Sequence, residues 1–186
     1  MAHLLRARLL EARFRKIILI NENGAIDNLI SRPQEANAVP VNLLISIHHD
    51  SVQPKYLSMW KFDGRELRYS DHFRGFSIFV SRKNGSAEKS ISFAKYLGDS
   101  FLAAQLKPTL HHAEPIPGEN RELLDETRGI YFFDDLVVLK KAQVPAVLLE
   151  CGVIKHRDEE ATLNDPDFRK KIADATVAAI ENFCAD

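Results

Sequence analysis

Two short apolar runs, each stopped by a side chain able to do chemistry, constrain this chain more than any other feature. Residues 44–50 read Leu-Ile-Ser-Ile-His-His-Asp, and residues 146–150 read Ala-Val-Leu-Leu-Glu before Cys151 and Gly152. Runs of this length with no polar alternation fit strands buried on both faces, as in a sheet covered by helices on either side. In open α/β sheets, ligands bind outside the carboxyl ends of the strands. A His and a Glu that each terminate such a strand can therefore meet in one site, an arrangement suited to a metal ion and a base.

The remaining pattern supports that architecture. Residues 3–13 carry Leu5, Leu9 and Ala12 at helical spacing, and residues 16–20 form a β-branched run stopped by Asn21, Asn23 and Gly24, so a helix followed by a strand is predicted. Across residues 25–40, Arg32-Pro33 and Val39-Pro40 exclude a long helix. Residues 76–81 predict a third strand, and a helix from about Ser86 places Ile91, Ala94, Leu97, Phe101 and Ala104 on one face. Residues 136–139 read as a short strand. The last helix opens near Asp165, with Pro166 suited to its first turn and Phe168, Ile172, Ala175, Ala179 and Phe183 in one stripe. Strands alternating with helices predict a three-layer α/β fold around a mainly parallel sheet. With 186 residues, 45% of them hydrophobic, the chain can bury roughly 70% of its unfolded surface, and one domain over residues 1–186 is expected.

Charge excludes some partners. Twenty-five Lys and Arg against 26 Asp and Glu leave a formal net charge of -1, too little to attract nucleic acid or an anionic membrane surface. No apolar stretch approaches the length of a membrane span, and no export signal is visible at the N-terminus. Cys151 and Cys184 have no zinc-type spacing and read as small hydrophobes. Two connections exceed ordinary loop length. Residues 51–75 carry Tyr56, Trp60, Phe62, Tyr69 and Phe73 around an Asp63-Gly64 hairpin signal, and residues 108–133 hold His111, His112, Glu114, Glu119 and Arg121 among prolines. Each either borders a site or packs as plain structure.

Residues 43–52 (Leu-Leu-Ile-Ser-Ile-His-His-Asp-Ser-Val), Arg128-Gly129 followed by Leu136-Val137-Val138-Leu139, and residues 144–154 (Val-Pro-Ala-Val-Leu-Leu-Glu-Cys-Gly-Val-Ile) resemble, in order and spacing, the zinc-dependent N-acetylmuramoyl-L-alanine amidases of type 3. Arg157-Asp158-Glu159-Glu160, Leu163-Asn164-Asp165-Pro166 and the terminal amphipathic helix resemble that family's closing segment, so the likeness covers nearly the whole chain. It implies a mixed, mainly parallel sheet between helices and hydrolysis of the amide joining N-acetylmuramic acid to L-alanine of the stem peptide. Zinc (Zn2+) as cofactor, peptidoglycan or muropeptide as substrate, and a place in the cell envelope follow from the same resemblance.

The resemblance also implies that His48 is a zinc ligand and Glu150 the catalytic carboxylate. Family members take their other two ligands from a Gly-His strand end and a Glu at the start of the first helix, whereas this sequence opens at Met1 inside that helix. The chain thus reads as N-terminally shortened, and His48 alone is expected to hold zinc weakly. His49, His111, His112 and Glu114 are the side chains able to substitute, although His49 points to the opposite face from His48 if the pleat continues. Asp50 either orients His48 or caps the following loop. His112, Arg121 and Arg128 are candidate substrate-binding groups, the two arginines facing stem-peptide carboxylates or else held in ordinary salt bridges. Two other readings stay open: an inactive relative that binds cell-wall fragments or a partner protein, and a zinc peptidase of similar architecture.

Overall fold

The two apolar runs lie side by side in the computed structural model, which describes residues 1–25 and 28–186. They form β1 (Leu44–Asp50) and β7 (Ala146–Val153), paired in parallel with Leu44 opposite Ala146 and His48 opposite Glu150. Opposed residues in a ladder share a face, so His48 and Glu150 project to the same side. Between His48 and Asp50 the register shifts, and Asp50 comes opposite Val153. Such irregularities re-aim a side chain at a strand end.

β4 (Ser77–Val80) runs antiparallel to β7 with Ser77 opposite Glu150. β6 (Ile130–Phe132) pairs in parallel with β4, and β5 (Leu123–Asp125) closes the edge antiparallel to β6. The sheet order is β1-β7-β4-β6-β5. It is mixed, its longest pairing is parallel, and helices flank it, as the sequence predicts.

Alternation along β7 divides the core. Val147 and Leu149 join Ile78, Val80, Phe93, Leu97, Phe101, Ile172 and Ile180 on one face, under α1 (Ala2–Glu11), α3 (Ala87–Ala103) and α6 (Pro166–Ala185). Ala146 and Leu148 join Phe79, Tyr131, Leu139 and Ala142 on the other, beside α4 (Val137–Lys140), against which α2 (Ser31–Asn37) lies. Each fully buried side chain of this kind contributes about 1.5–3 kcal/mol. α5 (Arg157–Asn164) packs on β7 and α6. The Asp165 carboxylate accepts from the Phe168 amide at 2.8 Å, capping α6 one residue before Pro166.

Two local expectations are corrected. Residues 16–20 form no strand: the run meets no ladder partner, although Ile17 still packs on the core. Residues 136–139 turn helical, entering the single-turn α4 with Leu139 fully buried. Four apolar residues fit either period, and packing against the smaller core decides. In the 25–40 stretch the prolines leave only the short α2, while residues 26 and 27 lie outside the described residues. β2 (Ser58–Phe62) and β3 (Arg65–Tyr69) form the expected hairpin, its Asp63 and Gly64 at φ 47° and 73°. Both signs are those a two-residue type I′ turn requires.

Candidate active site

Glu150 stands on the smaller-core face near the end of β7, and its Oε2 is buried with no hydrogen-bond partner. Burial, reinforced by the negative charge of Asp50 and opposed by His112, pushes its carboxyl up to about 8. Ser77, opposite it on β4, has a hydroxyl that is likewise buried and unpartnered. His48, opposite on β1, places Nε2 3.0 Å from Ser46 Oγ. Burial, aided by the positive charge of Arg32, holds its imidazole below the ordinary value, so it stays neutral near pH 7.

The carboxyl end of β1 meets the 108–133 connection through Asp50. Its Oδ1 accepts from the Ser51 amide at 2.7 Å, forming the loop cap, and its Oδ2 lies 2.8 Å from His112 Nε2 and 3.3 Å from His111 Nε2. His111 and His112 sit on a single 3-10 turn, His111–Ala113. The other nitrogen of His112 is 2.8 Å from Glu119 Oε2, and Glu119 Oε1 accepts from Gln53 Nε2 at 2.8 Å. Burial opposes a charge on His112, but the two carboxylate hydrogen bonds prevail and raise it to about 9. Burial, then the neighbouring His112 charge, lowers His111.

The other predicted site residues go elsewhere. His49 is exposed on the opposite face, as the pleat predicts, where it borders a cavity of about 530 Å³ with Trp60, Tyr69, Arg157 and Arg169. That cavity holds none of the groups around Glu150. Glu114 accepts from the Tyr56 hydroxyl at 2.7 Å. Arg121 lies 3.7 Å over the Phe133 ring, and Arg128 pairs with Asp99 and Asp125 beside Gly98 of α3. His112 is buried with both ring nitrogens engaged, leaving no free polar edge for a substrate. Of the aromatic set in residues 51–75, Phe73 stacks on His111 at 4.9 Å, while Trp60 and Tyr69 belong to the opposite cavity. Sequence reasoning assigned no role to Ser77, Thr109 or Glu119. Only Glu119 carried a signal, its place in the charged cluster of the long loop.

A largely buried carboxyl group at a strand end of a mixed three-layer α/β sheet, opposite His48 and shifted by burial, Asp50 and His112, is the kind of perturbed group that marks a candidate functional site. Residues 1–182 match the family described as N-acetylmuramoyl-L-alanine amidase, and the chain belongs to that family. It is similar to an N-acetylmuramoyl-L-alanine amidase of Mycobacterium tuberculosis, 26% identical over 168 residues that cover 89% of this chain and 57% of the relative. The chain thus spans less than two thirds of that relative's length. Among solved structures, the N-acetylmuramyl-L-alanine amidase Ami1 of Mycobacterium smegmatis aligns with a TM-score of 0.73 at 25% identity, covering 98% of this chain and 73% of that one. The catalytic domain of CwlV, an N-acetylmuramoyl-L-alanine amidase of Bacillus (Paenibacillus) polymyxa, shares the fold, with a TM-score of 0.68 at 22% identity over 99% of this chain and 80% of that one.

Proposed function

We propose that this chain hydrolyses the amide bond between N-acetylmuramic acid and L-alanine of peptidoglycan stem peptides, acting at the cell envelope. Family membership supports the substrate class, and one observation carries the chemistry: Glu150 keeps a buried, unpartnered carboxylate oxygen at a strand end. A buried carboxyl oxygen without a partner is costly as pure structure and is therefore informative about function. In this reading the ionised form of Glu150 takes a proton from the attacking water and returns it to the departing alanine nitrogen. Ser77, across the ladder, offers its free hydroxyl to the same space.

The family is zinc-dependent, and zinc supplies Lewis-acid polarisation of the carbonyl when bound. His48 does not by itself fit that role. Catalytic zinc takes three protein ligands, whereas His48 engages Ser46 and joins no group of three converging donors among the described residues. No step is assigned to a metal at His48. The same isolation favours a second reading, an inactive relative that binds cell-wall fragments without cleaving them.

Turnover of a defined muropeptide separates the two. The parental chain is expected to release free stem peptide, and Glu150→Gln to lower that rate at least about 10²-fold with the fold intact. Binding with no release by the parent would establish the inactive reading, and an unimpaired Glu150→Gln would remove Glu150 from the chemistry.

A further inference from the structure

Three donors outside the family-matched pair converge on one point. Asp50, His111 and His112 each offer one ligand atom, and these atoms lie within 4.8 Å of one another. Ligands about 2.0–2.1 Å from a tetrahedral cation stand roughly 3.3 Å apart. The gap from Asp50 Oδ2 to His111 Nε2 is 3.3 Å, and the 2.8 Å gap to His112 Nε2 needs to open only slightly.

The outer nitrogens carry the argument further. His111 Nδ1 is 2.8 Å from Thr109 Oγ1, and His112 Nδ1 is 2.8 Å from Glu119 Oε2. Metal-bound histidines almost always have the second ring nitrogen held in this way, which fixes the tautomer and aims the first. Here each partner is itself built in: Glu119 is tied to Gln53, and Thr109 gives its amide to the Phe76 carbonyl at 2.8 Å. Aromatic rings clamp both imidazoles, Phe73 stacking on His111 and Phe79 meeting His112 edge-on, each at 4.9 Å.

A second observation points to a ligand. His111 is 2% exposed, and its Nε2 is buried with no hydrogen-bond partner although Asp50 Oδ2 is only 3.3 Å away. Where the Thr109 hydroxyl accepts from Nδ1–H, Nε2 turns its lone pair toward that carboxylate oxygen. A cation bound there would satisfy both groups, taking the place of the proton that His112 now shares with Asp50 Oδ2.

We propose that Asp50, His111 and His112 form a binding site for a divalent transition-metal cation of the zinc class, with Thr109 and Glu119 as positioning residues and His48 outside it. Two imidazoles and one carboxylate favour zinc-type ions over magnesium or calcium, which prefer all-oxygen sites. The assignment stands on these donors and does not depend on the amidase reading.

The test uses the whole 186-residue chain, stripped with chelator, reloaded with Zn2+ and desalted before elemental analysis. Co2+ then replaces Zn2+ as a visible-absorbance probe of low-symmetry nitrogen and oxygen coordination. About one ion per chain is expected in the parent, in His48→Ala and in Glu150→Gln. His111→Ala should lose the ion and the cobalt bands, and Glu119→Gln should weaken affinity roughly 10–100-fold. Should His111→Ala fail to give the parental circular dichroism, Glu119→Gln decides alone, because its side chain is close to isosteric and touches no ion. Retention by His111→Ala or undiminished affinity in Glu119→Gln would overturn the site, as would loss in His48→Ala or no retention by the parent. Muropeptide turnover is scored separately, so metal binding without hydrolysis refutes only the amidase reading, and hydrolysis without metal at these residues refutes only this site.

Discussion

Glu150 and His112 carry opposite charges when ionised, yet both tie stability to pH in the same direction. The carboxyl of Glu150 is raised to about 8 from its ordinary 4.5, so the native state holds that proton more tightly and stability falls as pH climbs from the lower value through the upper. The imidazolium of His112, raised to about 9 from 6.5, contributes fully below 6.5 and is lost as pH passes 9. Metal-free protein is therefore expected to melt at a distinctly lower temperature near pH 9 than near pH 6. Glu150→Gln should flatten part of that slope, and a melting temperature that holds level or rises over this range would contradict both shifts. His112→Ala follows from the same geometry: it leaves Asp50 and Glu119 facing each other without the cation between them. Breaking a buried pair in this way costs about 3–5 kcal/mol, so thermal stability should suffer first. A full-stability His112→Ala variant with altered muropeptide kinetics would restore the substrate-binding role read from sequence.

At the scale of elements, legibility followed how many local signals agreed. The run that became β7 was readable because both its faces are buried, and the β1 run because it is apolar, although it forms a half-buried edge strand with His49 exposed. α3 and α6 were readable because a full apolar stripe coincides with a start signal at Ser86 or Asp165. Residues 16–20 misled because β-branching alone reports a preference, and a strand exists only where a ladder partner stands. Residues 136–139 misled because one turn is too short for periodicity to speak. His48 and Glu150 were legible as strand-end residues. The meeting of Asp50 with His111, His112 and Glu119 was not, since it depends on the register shift at the end of β1 and on a long loop folding back. A sharper element-level test concerns Gly98 in α3. A Cβ there would stand 2.6 Å from Arg128 Cβ and 3.0 Å from its Cγ, atoms too near the backbone to swing away. Alanine gains up to about 1 kcal/mol in helix propensity, but overpacking of this kind costs about 1–3 kcal/mol and disturbs the pairs from Arg128 to Asp99 and Asp125. Gly98→Ala should thus lower denaturant stability, and a stabilised variant would show that α3 and the 125–129 turn adjust freely.

For the molecule as a whole, the carboxyl edge of the sheet is where separate segments are joined by polar rather than apolar contacts. Asp50 and Gln53 from one side and Thr109, His111, His112 and Glu119 from the other interlock there, with Phe73 and Phe79 as walls. A cation bound by Asp50, His111 and His112 would exist only when both segments are in place, so its binding energy adds to the stability of the folded chain. At free zinc near a hundred times the dissociation constant the gain is about 2.7 kcal/mol. For a chain of this length that corresponds to a rise in melting temperature of roughly 5–11 °C. The rise should appear in the parent and in His48→Ala, vanish in His111→Ala, and be reversed by chelator. If zinc leaves the parental melting curve unmoved, or moves His111→Ala by the same amount, the two segments are held by their own hydrogen bonds alone and the metal site must be withdrawn.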